Sequence, residues 1–291
     1  LIMSDKEFKT IDEQLNILKS RGLTIDDEEK ATDFLMHNNY YRVSGYSLTL
    51  RNHDVFSKTA TFQNIIDIYS FDHELRYVLL KYLEIIEVQL KSVYAYEFTK
   101  VNGSIGYLDG NNFTKSDVHQ RILDKAEEQK SKRLPHEAYL KHFVEDLKQP
   151  LPLWAYVDLL TIADISFLYS ISETNVRVSV AAQFNIPNKI IGKFMHSMTI
   201  LRNLCAHGSR LYNRLFEQKP KLSKNERPFL RVLKNGQTDD AHLYSFIFVM
   251  KRLLPDTDFN EMKSEILSLA KKYPFVNMKY YGFRNDWSNV L

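Results

Sequence analysis

Cysteine, glycine and proline are all scarce in this chain, and each scarcity removes a class of protein. Cys205 is the single cysteine among 291 residues. No disulfide can therefore form within the chain, and no multi-cysteine zinc module can be built. A lone thiol fits a reducing compartment. Nine Gly and eight Pro are too few for a turn-rich all-β design. Long apolar runs are missing too, since no stretch approaches about eighteen uninterrupted apolar residues, so no membrane-spanning helix is expected. Leu1-Ile2-Met3 followed by charged positions does not supply the apolar core of a signal peptide. A cytoplasmic location is the expectation.

What the chain does have is 44% apolar residues with abundant Leu, Ile, Lys and Glu, enough for a sizeable helical core. Thr10 and Glu13 stand at capping-box spacing and open a short helix that stops at Arg21-Gly22. Asp26 and Asp27 precede an amphipathic run through Ala31, Phe34 and Leu35, which leads into the aromatic cluster Tyr40 to Tyr46. Thr61 caps the longest periodic segment, where Leu75, Leu79, Leu83, Ile86 and Leu90 recur at three- and four-residue spacing until Asn102-Gly103. A polar loop follows to Lys115. Charged helices are expected to about residue 133 and again between Pro135 and Pro150, then an apolar helix over 153–171. Asn185 and Pro187 punctuate the chain, and a helix beginning at Asn188 is expected to run on toward Phe216.

Beyond it lies a basic irregular connection over 217–236, then two helices, the second opened by Asp258 and Glu261 at capping-box spacing. The aromatic end, Tyr280 to Trp287, is expected to dock on the body. Strand candidates are confined to the neighbourhoods of Tyr46 and Leu230. The pattern divides into an N-terminal helical module over 1–60, a core over 61–216 and a C-terminal part over 217–291.

The net charge of +3 conceals an uneven distribution. Residues 187–234 contain six Lys and five Arg against Glu217 and Glu226, a local +9 that leaves −6 for the rest. A basic segment on a mildly acidic body suits a polyanion; the plainer reading is a solvated basic surface. On a helix turning about 100° per residue, Ile190, Phe194, Met198, Leu201 and Cys205 share one stripe. His196, Asn203, His207, Arg210 and Arg214 share a second, roughly opposite, with Arg202 between the two. Histidine can exchange protons near neutral pH, and arginine can hold a phosphate oxygen as charge develops on it. These groups suit phosphodiester chemistry without a metal. Asp158 and Asp164 lie on an apolar segment with no neighbouring carboxylate cluster, so no site for a hard cation is expected. A single surface histidine or a lone R-N-x3-H pattern is weak by itself.

Arg202-Asn203-Leu204-Cys205-Ala206-His207, followed by Arg210-Leu211-Tyr212-Asn213-Arg214, resembles the R-x4-6-H signature of HEPN ribonucleases, in the form used by the Abi family of abortive-infection proteins of the AbiD/AbiF type. The resemblance extends to Gln14 through Ala31, to Tyr40 through Tyr46, to Phe71-Asp72-His73-Glu74-Leu75-Arg76 with Glu84 and Glu87, and to Leu151-Pro152-Leu153-Trp154. It spans residues 10–216. Two positions depart: Gly208 stands where many relatives carry a second histidine, and Lys91 where arginine is expected.

The resemblance implies an all-α, HEPN-like helical bundle with additional N- and C-terminal segments. It implies a metal-independent endoribonuclease with a toxin-like, anti-phage role, needing no cofactor. In it His207 would transfer protons, Arg202 would hold the scissile phosphate, Asn203 would orient one or the other, and the RNA 2′-hydroxyl would be the nucleophile. Arg210, Arg214, Lys219, Lys221 and Lys224 would form a phosphate-binding track. The implied partners are an RNA substrate, a small structured RNA antitoxin, and a second copy of the chain in a homodimer or larger even assembly whose active site is shared across the two-fold axis. The alternative is a non-catalytic helical module that grips RNA through the same basic face. A purely structural helical protein is the remaining reading.

Overall fold

Thr10 and Thr61 start their helices by the same device. Thr10 Oγ1 accepts from the Glu13 amide at 3.2 Å while the Thr10 amide donates to Glu13 Oε2 at 2.7 Å. Thr61 and Asn64 repeat the exchange at 3.1 and 2.9 Å. Each pair satisfies two amides that the first turn leaves without intrahelical partners. The computed structural model describes residues 7–291. The signal-segment reading of Leu1-Ile2-Met3 lies outside them.

The described chain is 65% helix, with thirteen α-helices and one two-stranded hairpin. The N-terminal part holds α1 (Ile11–Ser20), α2 (Glu28–Asn38), α3 (Tyr40–Ser44) and the antiparallel hairpin β1 (Arg51–Asn52) and β2 (Val55–Phe56). The spine is α4 (Phe62–Asn102), whose 41 residues extend roughly 60 Å at 1.5 Å per residue. After it come α5 (Ser116–Arg133), α6 (Ala138–Lys141), α7 (Leu153–Tyr156), α8 (Ile162–Ile171), α9 (Thr174–Gln183) and α10 (Asn188–Ala206). The chain ends with α11 (Leu243–Leu253), α12 (Asp256–Lys272) and α13 (Trp287–Val290). Helices α7, α8, α9, α10 and α12 all pack on α4, and α10 also contacts α8 and α11.

The predicted stripe on α4 is the centre of that packing. Leu75, Leu79, Leu83, Ile86 and Leu90 are each fully buried, and the buried residues from Leu15 to Trp287 form one continuous cluster. Each such side chain contributes about 1.5–3 kcal/mol by leaving water. Trimming any of them to alanine is expected to cost about 2–5 kcal/mol.

Several boundaries differ from the sequence reading, each for a local reason. The expected helix over 153–171 is broken after a 3-10 turn at Val157–Leu159, because Thr161 and Asp164 form a third capping box that starts α8. The segment between Pro135 and Pro150 makes only one α turn and then a π turn at His142–Asp146. Helix α9 was not anticipated; its Val176 and Val180 are buried, and valine is a weak helix former that packing overrides here. Helix α12 begins at Asp256 behind Pro255, two residues before the Asp258 and Glu261 pair. Tyr46 is buried in a turn rather than a strand, and near Leu230 there is only the Val232 to Thr238 bridge. The largest difference is the end of α10, which stops at Ala206 rather than near Phe216.

Candidate functional site

Gly208 explains that early stop. Its φ of +62° places it in the left-handed region, where glycine carries no Cβ penalty. The Gly208 amide donates to the Cys205 carbonyl at 3.0 Å and the Ser209 amide to the Leu204 carbonyl at 2.9 Å. This pair of bonds is a Schellman closure, which satisfies the last carbonyls of a helix. His207 is therefore the C-cap residue, standing at the helix end with its side chain exposed. The inner face of α10 carries Ile191, Phe194, Met195, Met198, Leu201 and Cys205, all buried, while His196 and Asn203 face solvent. Arg210 and Arg214 lie beyond the helix and do not continue its polar stripe.

Arg202 projects into a groove of about 530 Å³ between α4 and the end of α10, lined in part by Tyr77, Glu84, Glu87, Val88 and Lys91. Its Nε lies 3.5 Å from Glu87 Oε2, and Glu87 Oε1 takes Lys91 Nζ at 2.9 Å. One carboxylate thus sits between two cations. The Arg202 side chain keeps 38% of its exposure, and its Nη1 reaches Asn203 Oδ1 at 3.4 Å. Lys81, Lys91 and Arg202 stand against Glu84 and Glu87 in the lining, and Lys81 is also drawn to Glu265 at 2.8 Å, while the His207 imidazole is open to solvent at the helix end. Cys205 does not join this chemistry: burial pushes its thiol up to about 12, where it is inert.

The turn after His207 is held from beneath by a buried polar centre that was not anticipated. Asp72, fully buried on α4, pairs with Arg76 one turn on and accepts from the hydroxyls of Tyr46 at 2.8 Å and Tyr281 at 3.0 Å. It also takes the amides of Leu211 at 3.2 Å and Tyr212 at 2.8 Å. Above the turn, Arg42 Nη2 donates to the Gly208 carbonyl at 2.6 Å. Complete burial pushes the Asp72 carboxyl above its ordinary range, and Arg76 and the hydrogen-bond donors oppose that push. Burial and then the Asp72 charge raise Tyr46 and Tyr281. His73 is exposed beside this centre, 3.5 Å from Arg76 Nη2, and is lowered by partial burial and by Arg76. The available signal was Asp72 and Arg76 standing on the apolar stripe of α4, where a charge must find a partner.

The expected phosphate-binding residues are not in one place. Arg210 spends Nη1 on the Tyr212 carbonyl at 2.6 Å and packs against Gly45. Arg214 lies 5.9 Å over the Phe216 ring, and Lys219 pairs with Asp240 at 2.8 Å. Lys221 and Lys224 line a separate cavity of about 540 Å³ with Ile190 and Phe194. That cavity lies roughly 20 Å along α10 from His207 by helical rise. Lys221 lowers the neighbouring Lys193 by like-charge repulsion. The basic residues are therefore spread along α10, with Arg214 beside His196, Ile200 and Leu204 and with Lys221 and Lys224 nearer its start. Among the described residues no group of three or more His, Cys, Asp or Glu is placed to hold a metal ion, and no helix is long and apolar enough to cross a membrane.

A family model described as Abi-like protein matches residues 33–213, from within α2 to the amides that bind Asp72. No curated protein and no solved structure matches the chain.

Proposed function

The chain belongs to the Abi-like protein family, a membership that implies an abortive-infection, anti-phage role, and from that premise we propose that it is a metal-independent endoribonuclease of the HEPN type. The observations that carry this reading are Arg202, which projects into an open groove, and His207, exposed at the end of the same helix before a turn fixed from both sides.

In the proposed reaction His207 takes the proton of an RNA 2′-hydroxyl, and the 2′-oxygen attacks the adjacent phosphorus. The bond from phosphorus to the 5′-oxygen breaks, and that oxygen leaves with a proton returned from a histidine or water. The products are a 2′,3′-cyclic phosphate and a 5′-hydroxyl. Arg202 stabilises the charge that builds on the phosphate, where a preorganised cation is worth most. Glu87 draws the guanidinium toward α4 through Nε, and among the described residues Nη2 makes no hydrogen bond, which leaves it to a phosphate oxygen. Asn203 orients the phosphate or the imidazole. A second copy of the chain brings a second His207 to the site, so that one histidine serves as base and the other as acid. A small structured RNA that binds the same groove without being cut would restrain the toxin.

A binding-only reading has one observation in its favour: among the described residues no hydrogen bond orients the His207 ring. Turnover separates the two. We expect His207→Ala and Arg202→Ala to lose at least about a hundredfold in RNA cleavage, with RNA binding by His207→Ala nearly unchanged. Cleavage should persist in excess EDTA and stop when the scissile nucleotide lacks its 2′-hydroxyl. A His207→Ala protein that cuts at the wild-type rate sinks the assignment. Mixing His207→Ala with wild-type chains should depress activity beyond dilution if each site borrows from two protomers.

A further inference from the structure

Beyond the Arg202 groove, the same face of α4 meets α7 at a second cavity of about 630 Å³. Its walls include Val88, Ala95, Tyr96, Trp154 and Val157, and its volume falls within the range of small-molecule sites. The two aromatic rings are unusually open for their size, Trp154 at 58% and Tyr96 at 67% exposure. An isolated exposed aromatic needs no explanation; two of them lining one cavity present flat apolar faces to whatever enters. Lys91 and Lys100 line it along with one carboxylate, the exposed Asp158, whose carbonyl draws Arg133 close by a hydrogen bond at 2.7 Å. Val88 and Lys91 line both cavities, so the aromatic site adjoins the Arg202 groove. From Glu87 to Tyr96 the helix rises roughly 14 Å, a span of a few nucleotides.

We propose that this cavity is a nucleobase subsite, which takes one base of a single-stranded RNA against Trp154 and Tyr96 while neighbouring phosphates lie against Lys91 and Lys100. Aromatic faces flanked by cations are the arrangement that binds single strands: stacking accepts any base, and the cations follow the backbone. The strand then continues along α4 toward Arg202. The subsite rests on the ribonuclease reading for its ligand class. It would give the strand a fixed register relative to Arg202. A second copy of this chain is the competing occupant, and the test below separates the two.

The experiment uses the His207→Ala chain, so that RNA is bound without being cut, and titrates it with a short labelled single-stranded RNA of mixed sequence. Trp154 is exposed and Trp287 is buried, so stacking is expected to quench the Trp154 part of the emission and to leave Trp287 emitting. Trp154→Ala should weaken binding by about tenfold, whereas Trp154→Phe, which keeps a stacking face, should retain most of the affinity. An abasic strand of equal length should bind both variants and the parent alike. Equal affinity of Trp154→Ala and parent for the intact RNA, with no quench in the parent, would overturn the proposal. Trp154→Ala that changes the sedimenting mass while RNA affinity holds would also overturn it, in favour of an interface between copies. The Phe variant and the quench keep the test decisive should the Ala variant fold poorly. If the wild-type chain binds and quenches but never cuts RNA, the subsite stands and the ribonuclease reading falls.

Discussion

Two polar centres lie along α4, one at Asp72 and one where Glu87 meets Arg202 of α10, and the two differ in how much bonding capacity is left over. Around Asp72 nothing is left: the carboxylate is fully buried and takes Arg76, two tyrosine hydroxyls and two backbone amides. Around Arg202 and His207 much is left. One carboxylate serves two cations there, and the imidazole stands in solvent. A saturated buried centre can only hold the fold, because any ligand would have to displace a bond that the interior cannot replace. An unsaturated exposed centre can exchange partners with a substrate. The contrast assigns rigidity to the first and leaves the second open to the ligand we propose for it, and the turn from Gly208 to Tyr212 runs from His207 to the amides that bind Asp72.

The largest effect is expected from breaking the buried centre. Asp72→Asn keeps the shape but removes the charge opposite Arg76 and turns a donor toward other donors. Removing one member of a buried pair costs about 3–5 kcal/mol. A chemical-denaturation midpoint should fall accordingly, and RNA cleavage should fall with the folded population. His207→Ala should do the reverse, moving stability by less than about 0.5 kcal/mol as exposed substitutions do while cleavage disappears. If both variants lose stability to the same extent, the division between the two centres fails.

A smaller effect tests how far the C-terminal part belongs to the site. Tyr281 lies outside the residues matched to the family, yet its hydroxyl reaches Asp72 Oδ1 at 3.0 Å. Tyr281→Phe removes one hydrogen bond to a charged acceptor and keeps the ring, which should cost about 1.5–3 kcal/mol. The Asp72 oxygens would still hold the Leu211 and Tyr212 amides, so cleavage per folded molecule should be nearly unchanged. Activity that collapses while the denaturation midpoint holds would mean that Tyr281 acts on the chemistry.

How much of this was legible beforehand follows from range. The stripe from Leu75 to Leu90 was legible because a helix repeats it locally, and every member is buried. The capping boxes at Thr10 and Thr61 were legible because their partners stand three residues away. Asp72 and Arg76 were visible as charges on an apolar stripe, but their partners Tyr46, Tyr212 and Tyr281 come from elements 26 to 209 residues away. No periodicity encodes such pairings. The end of α10 is a different case, because Gly208 stood in plain view. It was read as a missing histidine when it was a helix stop, and Arg210 and Arg214 were carried along a helix that had already ended. The polar stripe correctly placed Asn203 and His207 away from the core because both precede the stop.

A small effect on stability, and the one that best sharpens the contrast, is expected at Glu87. Its carboxylate lies between Arg202 at 3.5 Å and Lys91 at 2.9 Å, with Glu87 itself mostly covered and Arg202 more open. Partly exposed ion pairs contribute little, so Glu87→Gln should shift stability by less than about 1 kcal/mol. Its effect on RNA should be clearer, since the groove gains one unit of positive charge and Arg202 and Lys91 are both released toward a phosphate. If a phosphate takes up that charge, the log-log salt slope of RNA binding should steepen by roughly 0.7, the increment for one more contact to a single strand. Affinity at low salt should rise, and cleavage should fall if Glu87 is what aims the guanidinium. Unchanged affinity and slope in Glu87→Gln would mean that the strand does not pass Arg202, and that the open bonding capacity at this end of α10 serves something other than a phosphate.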